Sequence, residues 1–349
     1  MKLRTMELNK EFAPSLIQEA YGSMTGPLTI MLDVTNKCNL NCLHCYNRSG
    51  KDCKYGDMTD EEMMRQIDYI IKLSPRIVCF CGGEPLLRHK LLERMASKLS
   101  ATGILVNMVT NGVLLNKEML QALRNSGVQE FQISLDSYKR EVHDYFRGAQ
   151  GAYDGAIRAI KLLLSLGITP SVSFIPTKIN YRDVGGVVDL LYSFGIKKLG
   201  SMPYIPIGRG MDNIDRLMMQ DNNLLEFYIQ LSKLKTKYQD FKIEYEDPLE
   251  HITLFLNNSV AKTMLVEIRS NGDVLISSYI PIIWGNIKHN NLYAMWNEGL
   301  QDAWRHEKVA DIASNIKTLA DLTQIKMKPW SKEDISINKL AEENCDNTL

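Results

Sequence analysis

The stretch CNLNCLHCY, residues 38–46, places three cysteines, Cys38, Cys42 and Cys45, within nine positions. A structural zinc site uses four nitrogen or sulfur ligands in a closed tetrahedron, and a disulfide framework uses an even number of cysteines in a secreted chain. Three thiols this close together therefore indicate a metal centre with one coordination position left open. A degenerate zinc site is the main alternative, but His44 sits between two of the cysteines with little room to bind the same ion.

The composition is that of an ordinary globular chain. The 349 residues are 45% hydrophobic and 23% charged, and 41 basic residues balance 41 acidic ones. A net charge of zero argues against nucleic acid or an anionic membrane as a dedicated partner. Residues 1–23 lack the apolar core of a secretory signal, and no stretch approaches the roughly 18 apolar residues of a membrane span. With an odd number of cysteines, seven, we expect a cytoplasmic protein whose thiols stay free or bind metal.

Apolar or β-branched runs alternate with segments of helical periodicity over the first two thirds of the chain. The predicted strands are 28–35, 76–81, 104–110, 130–136, 169–176 and 197–206. The predicted helices are 59–73, 89–101, 116–125, 152–166 and 182–194. The first helix opens with Thr59 and Glu62 at the spacing of a capping box.

This alternation predicts an α/β fold in which parallel strands are joined by right-handed crossovers. Six strands are too few for the usual closed barrel of eight, so we predict a partial (β/α)6 barrel, with a doubly wound open sheet as the alternative. In either architecture, functional residues lie at the carboxyl ends of the strands. The cysteine triplet follows the first predicted strand directly and so belongs to that rim.

The pattern changes after about residue 207. A helix is predicted at 221–238, strands at 241–246 and 265–277 with an Asn-Gly hairpin turn, and a last helix at 291–304. We therefore predict four segments: an N-terminal extension 1–27, the barrel 28–210, a smaller α/β extension 211–330 and a polar tail 331–349.

A second motif, CGGEP at 81–85, follows the second predicted strand. Gly82 and Gly83 allow the backbone to approach a ligand closely. Glu84 adds a carboxylate suited to an ammonium group, and Pro85 ends the strand. A glycine pair alone is weak evidence, but GGEP after a CxxxCxxC loop is a specific combination.

CxxxCxxC followed by the aromatic Tyr46 and then by GGEP resembles the radical S-adenosylmethionine (SAM) superfamily. Further elements match in order: TNG at 110–112, SLD at 134–136, HDYFRG at 143–148, PTKIN at 176–180 and PIGRG at 206–210. The resemblance covers residues 28–210 and implies the radical SAM partial barrel. It also implies that one electron, from a flavodoxin- or ferredoxin-type donor, cleaves SAM to a 5′-deoxyadenosyl radical that abstracts a substrate hydrogen.

The resemblance assigns roles to individual residues. One [4Fe–4S] cluster would take an iron ligand from each of Cys38, Cys42 and Cys45, and SAM would chelate the fourth iron through its amine and carboxylate. The SAM amine would be held by Gly82, Gly83 and Glu84. The SAM carboxylate or ribose would be contacted by Ser134 and Arg147, with Asn111 and Asp136 as further candidates.

Residues 265–299 resemble the SPASM/twitch extension of radical SAM maturases, through NGDV at 271–274, GNI at 285–287 and the segment Leu292–Trp296. Those extensions hold auxiliary iron–sulfur clusters with cysteines. Here Ser277 and Ser259 stand near the ligand positions, and Cys345 is the only cysteine after Cys81. Because serine is a poor ligand for a soft metal site, we expect no auxiliary cluster and favour a redox-neutral reaction.

A redox-neutral reaction such as epimerisation needs a hydrogen donor for the substrate radical. One candidate is Cys81, beside GGEP, for which core packing is the alternative. The other is Cys53, in the loop after the triplet, for which a surface position is the alternative. Cys79 and Cys81 are two apart on a strand and face the same side. The leading hypothesis is an enzyme that acts on a ribosomally made peptide. The second is an enzyme that acts on a small molecule: a nucleotide sugar, an aminoglycoside or a tetrapyrrole. The third is a non-catalytic iron–sulfur scaffold, which has no substrate.

Overall fold

The computed structural model describes residues 24–53, 56–246, 248–257, 262–280, 282–318, 321 and 335–336. In this part of the chain, one sheet contains the strands β1 (Thr29–Asp33), β2 (Ile77–Cys81), β3 (Leu105–Thr110), β4 (Val128–Ser134), β5 (Ser171–Phe174), β6 (Lys198–Ser201), β7 (Lys242–Tyr245), β8 (Leu265–Ile268), β9 (Asp273–Leu275), β10 (Ile282–Asn286) and β11 (Ile335–Ser336). The order across the sheet is β11-β10-β9-β8-β1-β2-β3-β4-β5-β6-β7.

The helices are α1 (Asp60–Leu73), α2 (His89–Ser100), α3 (Lys117–Asn125), α4 (Arg140–Arg147), α5 (Ala152–Ser165), α6 (Val184–Ser193), α7 (Arg209–Asp212), α8 (Ile214–Leu217), α9 (Asp221–Lys237), α10 (Pro248–Asn257), α11 (Leu292–Asn297) and α12 (Glu307–Ser314). Short 3-10 helices run over Pro85–Arg88, Tyr181–Asp183 and Leu300–Arg305. None of the described helices is long and apolar enough to cross a membrane.

The strands β1 to β6 are neighbours in chain order, and each pairs in parallel with the next. A doubly wound sheet would return to the other side of its first strand after the first few crossovers. The order seen here excludes that alternative and agrees with the predicted partial barrel, in which winding proceeds in one direction.

Alternation along β2 shows how the barrel separates two environments. Val78 and Phe80 are fully buried in the main hydrophobic core, together with α1 residues such as Ile67. Cys79 and Cys81 point to the opposite face of the strand, because successive side chains alternate. The helices therefore cover the outer face of the sheet, and the other face lines the barrel interior.

The helix α1 confirms the predicted capping box. The Thr59 side chain accepts a hydrogen bond from the Glu62 backbone N–H, and the Glu62 carboxylate accepts one from the Thr59 N–H. Ser74, in the left-handed region at φ 50° and ψ 51°, ends the helix. These local signals fix both ends of the segment that carries the chain from the cysteine loop back to β2.

The C-terminal segment extends the same sheet at both edges. The strand β7 pairs with β6, whereas β8 pairs in parallel with β1 on the far side. The predicted hairpin is present: β8 and β9 are antiparallel, and Gly272 at φ +97° lies in the turn. The helix predicted over 291–304 is broken at Gly299, between α11 and the last 3-10 helix.

The boundary at residue 210 and the SPASM/twitch assignment stay predictions. Residues 1–23, Ser259 and Cys345 lie outside the described part of the chain, as does the tail 331–349 apart from β11.

Candidate functional site

The three cysteines lie in the loop after β1, and each sulfur has a hydrogen-bond donor beside it. The backbone N–H of Leu40 donates to Cys38 Sγ at 3.4 Å, and that of Ser49 to Cys45 Sγ at 3.3 Å. Arg147 Nη1 lies 3.8 Å from Cys42 Sγ. Donors placed in this way stabilise thiolates, the form in which cysteine binds a metal.

Without a metal, burial works against those thiolates. It raises the pKa of the Cys38 thiol to about 12, and it raises the pKa of Cys42 to about 11 although the Arg147 charge lowers it in part. A bound cation would supply the compensating charge. No group of three Cys, His, Asp or Glu side chains among the described residues is arranged for a single metal ion. A cubane cluster, by contrast, binds each cysteine to a different iron, so the donor set fits an iron–sulfur cluster.

The GGEP turn packs directly on the segment that leads into the cysteine loop. Gly83 N–H donates to the Thr35 carbonyl at 2.7 Å, and Glu84 N–H donates to the Lys37 carbonyl at 2.9 Å. A Cβ on Gly83 would lie 2.1 Å from that Lys37 oxygen, and Gly82 has φ +124°. Glycine is therefore required at both positions for the two loops to meet.

The Glu84 carboxylate is completely buried at this junction. It accepts hydrogen bonds from Thr110 Oγ1 at 2.7 Å, from Leu86 N–H at 3.1 Å and from Asn111 N–H at 3.0 Å. Burial raises the pKa of Glu84, and these hydrogen bonds oppose that rise. The bonds orient the carboxylate and tie the GGEP turn to the TNG motif on the neighbouring strand.

A buried ion pair lies on the other side of the cysteines. Arg147 Nε donates to Asp136 Oδ2 at 2.6 Å, and Asp136 Oδ1 accepts from the Ile175 N–H at 3.0 Å. Ser134, the last residue of β4, is also buried, with 8% of its surface exposed. In this arrangement Asp136 holds Arg147, and the guanidinium faces Cys42.

Asn111 completes the group of predicted residues around the cysteines. Its Nδ2 donates to Asn39 Oδ1 at 2.9 Å and lies 4.0 Å from Cys38 Sγ. The described structure thus brings the predicted SAM residues and the three cysteines to one end of the barrel. Their roles toward SAM remain our proposal.

Arg209, from the PIGRG motif, clamps the cysteine loop, a role that its sequence neighbourhood does not predict. Its guanidinium donates to the backbone carbonyls of Cys42 at 3.1 Å and Ser49 at 2.5 Å, and to Asp52 Oδ2 at 3.1 Å. Its backbone N–H donates to the Cys45 carbonyl at 2.8 Å. Only the folded structure reveals this clamp, because Arg209 is more than 150 positions away from the loop.

Within the described residues, the other three cysteines lie in two places. Cys79 and Cys81 have their sulfurs 3.6 Å apart on the interior face of β2. Cys53 lies at the end of the cysteine loop, where its N–H donates to the Gly50 carbonyl at 3.2 Å. Cys81 is thus placed beside the GGEP turn inside the barrel, and its role as a hydrogen donor stays a prediction.

Buried charges line the barrel interior next to Cys81, and sequence reasoning missed them. Asp33, Glu267 and Arg269 are each at most 3% exposed. Burial and the nearby Glu267 raise the pKa of Asp33 well above its usual value, while Arg269 lowers it in part. Asn47 Nδ2 donates to Asp33 Oδ2 at 2.6 Å. Charged residues inside the otherwise apolar runs of β1 and β8 were the available signal.

A one-directional partial barrel with three thiols and a GGEP turn at one rim defines a radical SAM protein. Residues 32–191 match the model of the Radical SAM superfamily. These residues form a Radical SAM domain, and the chain is a radical SAM enzyme, with a [4Fe–4S] cluster and SAM as its cofactors. The hypothesis of a non-catalytic scaffold is therefore not retained.

Several characterised proteins are similar in sequence. The AdoMet-dependent heme synthase of Methanosarcina barkeri is 27% identical over 293 residues, which is 77% of this chain and 82% of the relative. The Fe-coproporphyrin III synthase of the same organism is 30% identical over 58% of this chain, and the mycofactocin maturase MftC of Mycolicibacterium smegmatis is 30% identical over 58%. Each of these last two alignments spans 51% of the relative, about half its length.

Solved structures share the fold at lower identity. Streptococcus suis SuiB bound to the precursor peptide SuiA superposes with a TM-score of 0.67 at 17% identity, over 90% of this chain and 76% of that one. The enzyme anSMEcpe with bound AdoMet and the Cp18Cys peptide gives a TM-score of 0.64 at 15% identity, over 92% and 95% of the two chains.

Proposed function

We propose that this enzyme abstracts a hydrogen atom from a ribosomally made peptide and completes a redox-neutral change, such as epimerisation. The observation that carries the proposal is the shared rim of the barrel, where the cysteine loop and the GGEP turn border an interior lined by thiols and buried charges. When bound, the cluster and SAM supply the radical that removes the substrate hydrogen.

The chain itself would hold these groups and position the substrate. Cys38, Cys42 and Cys45 would bind three irons. Glu84, oriented by three hydrogen bonds, would accept from the SAM amine, with the flanking glycines giving it access. Arg147, fixed by Asp136, would meet the SAM carboxylate, because a guanidinium presents a planar set of donors to a carboxylate.

A redox-neutral outcome is supported by the absence of cysteines from residues 82–344, which include the stretch that resembles the SPASM/twitch extension. Ser277, at an expected auxiliary ligand position, is fully buried, and its hydroxyl accepts a hydrogen bond from the Tyr279 N–H at 3.1 Å. A hydroxyl committed to a local turn is a poor substitute for a thiolate.

The peptide is supported by the resemblance of residues 265–299 to maturases, by the similarity to a mycofactocin maturase, and by fold neighbours solved with peptides bound. A tetrapyrrole is the second candidate substrate. The heme synthase alignment favours it, because that alignment spans 82% of the relative. A flavodoxin- or ferredoxin-type protein would deliver the electron in either case.

The test is anaerobic reconstitution followed by turnover with short peptides encoded near the gene, and separately with a deuterated iron porphyrin. Peptides deuterated at their α-carbons should transfer deuterium into 5′-deoxyadenosine and return with inverted centres. The triple variant Cys38→Ala/Cys42→Ala/Cys45→Ala, which should lose the wild type's roughly four irons per chain, is the control. Deuterium transfer only from the porphyrin would replace the peptide proposal with the second candidate.

A further inference from the structure

The sulfurs of Cys79 and Cys81 form a pair on the interior face of β2, 3.6 Å apart. The Cys81 thiol donates to Cys79 Sγ. Both are free thiols. The pair is placed where the radical chemistry takes place, because Cys81 directly precedes the glycines of the GGEP turn.

The two thiols differ in their access to solvent. Cys81 is buried, with 6% of its surface exposed, and its Cα lies opposite that of Asp33 in the register of β1 and β2. Cys79, one step further down the strand, is only partly buried. Cys81 is thus screened from water beside the proposed cofactor site, whereas Cys79 keeps part of its surface exposed.

We infer that Cys81 donates the hydrogen atom that quenches the substrate radical and that Cys79 restores Cys81. This inference rests on the redox-neutral reaction proposed above. The S–H bond of Cys81 breaks homolytically, a C–H bond forms on the substrate carbon, and a thiyl radical remains on Cys81. Cys79 then passes its own thiol hydrogen across the 3.6 Å gap, which moves the unpaired electron to the more exposed sulfur.

The cycle closes on Cys79. One electron from a low-potential carrier of the flavodoxin or ferredoxin class and one proton from water turn its thiyl back into a thiol. The different burial of the two residues explains their different roles. The buried Cys81 can quench a carbon radical without competing reactions with solvent. A thiyl radical at that buried position is not accessible to a reductant, whereas one on Cys79 is. Cys79 is therefore a positioning and relay residue, and Cys81 is the group that touches the substrate.

The inference is tested without any substrate. Reconstituted enzyme is given SAM and dithionite in D2O, where thiols exchange to S–D, and deuterium in the 5′-deoxyadenosine formed by uncoupled cleavage is measured by mass spectrometry. In the wild type, deuterium from the Cys81 thiol should appear in 5′-deoxyadenosine. The Cys81→Ala variant should reduce this deuterium content to background. Cys79→Ala should label only the first equivalent of product per chain, since its Cys81 is not restored. Cys53→Ala, the competing thiol, should retain the wild-type label.

A second measurement tests the pairing in the absence of the cluster. The Cys38→Ala/Cys42→Ala/Cys45→Ala variant should bind a single equivalent of phenylarsine oxide, a reagent for neighbouring dithiols, and should lose that binding when Cys79 or Cys81 is also replaced. Three outcomes would overturn the inference. They are full deuterium labelling in Cys81→Ala, loss of the label in Cys53→Ala alone, and arsenical binding that persists after Cys79 and Cys81 are both replaced. Because neither measurement uses a peptide, failure of the peptide proposal leaves these results interpretable.

Discussion

Replacing Arg209 with methionine should loosen the cysteine loop and cost the protein its cluster. The Arg209 side chain is buried, and its guanidinium binds two backbone carbonyls of the loop, those of Cys42 and Ser49. Methionine fills a similar volume but donates no hydrogen bond. The variant therefore leaves two acceptors without their donor in a place that water does not readily reach.

The magnitude follows from the number and type of bonds lost. A hydrogen bond from a charged donor contributes about 1.5–3 kcal/mol, so two of them amount to about 3–6 kcal/mol. The contact with Asp52 adds at most about 1 kcal/mol, because that carboxylate is half-exposed. A loss of about 3 kcal/mol in local stability raises the open population of the loop by about 100-fold, at roughly 1.4 kcal/mol for each factor of ten.

The assay measures iron and sulfide per chain after reconstitution, and the rate at which a chelator removes the iron. We expect a lower iron content and chelation about 100-fold faster than in the wild type. Arg209→Lys should fall between the two, since one ammonium cannot reproduce the guanidinium fork. Arg182→Met is the matched control, because Arg182 is 70% exposed and pairs with Glu226 at the surface.

This reasoning would be refuted if Arg209→Met and Arg182→Met had the same iron content and the same chelation rate. If Arg209→Met holds iron as firmly as Arg182→Met, the clamp does not stabilise the loop, and the cluster itself must organise the backbone around it.

Three further predictions concern stability, measured by urea unfolding. Gly83→Ala should prevent the GGEP turn from packing on the segment before the cysteine loop, and so abolish cluster binding. The control is Gly185→Ala, in α6, where nothing lies within 4 Å of the added Cβ; it should stabilise the fold by about 0.5–1 kcal/mol. Equal effects of the two variants would contradict the packing argument. Asp136→Asn should cost about 3–5 kcal/mol, because it leaves Arg147 buried without its partner, and a loss below 1 kcal/mol would show that water reaches the pair. Burial and the Arg147 charge lower the pKa of His143 to about 3. Below about pH 6.5 the unfolded chain therefore binds a proton at His143 that the folded protein does not bind. The free energy of unfolding should fall by up to about 1.4 kcal/mol per pH unit as the pH drops from 6.5 toward 3. His143→Asn, which keeps an acceptor for the Asp136 N–H, should flatten that slope, and an unchanged slope would assign the acid sensitivity elsewhere.

Local patterns were enough to predict the six strands of the barrel and five of its helices, but not α4. The capping box at Thr59, the alternation in β2 and the glycine turn at 271–272 each depend on neighbours a few positions apart, so their energies can be read from a short stretch of sequence. The strand order β1 to β6 is one of the two orders that the sequence allowed, because right-handed crossovers also build a doubly wound sheet. Only the structure decided between them. It also decided the positions of the later strands: β7 and β8 join opposite edges of the sheet, and nothing local specifies which edge a strand will take.

The same division holds for the site. The sequence by itself determined the chemistry of the rim, because three thiols and GGEP are contiguous motifs whose residue types already restrict the ligand. Only the tertiary structure decided what surrounds them: the Arg209 clamp, the three donors on Glu84, and the buried charges beside Cys81. These are contacts between segments far apart in the chain. They form only when packing forces buried polar groups to find partners, and that requirement leaves no periodic trace in the sequence.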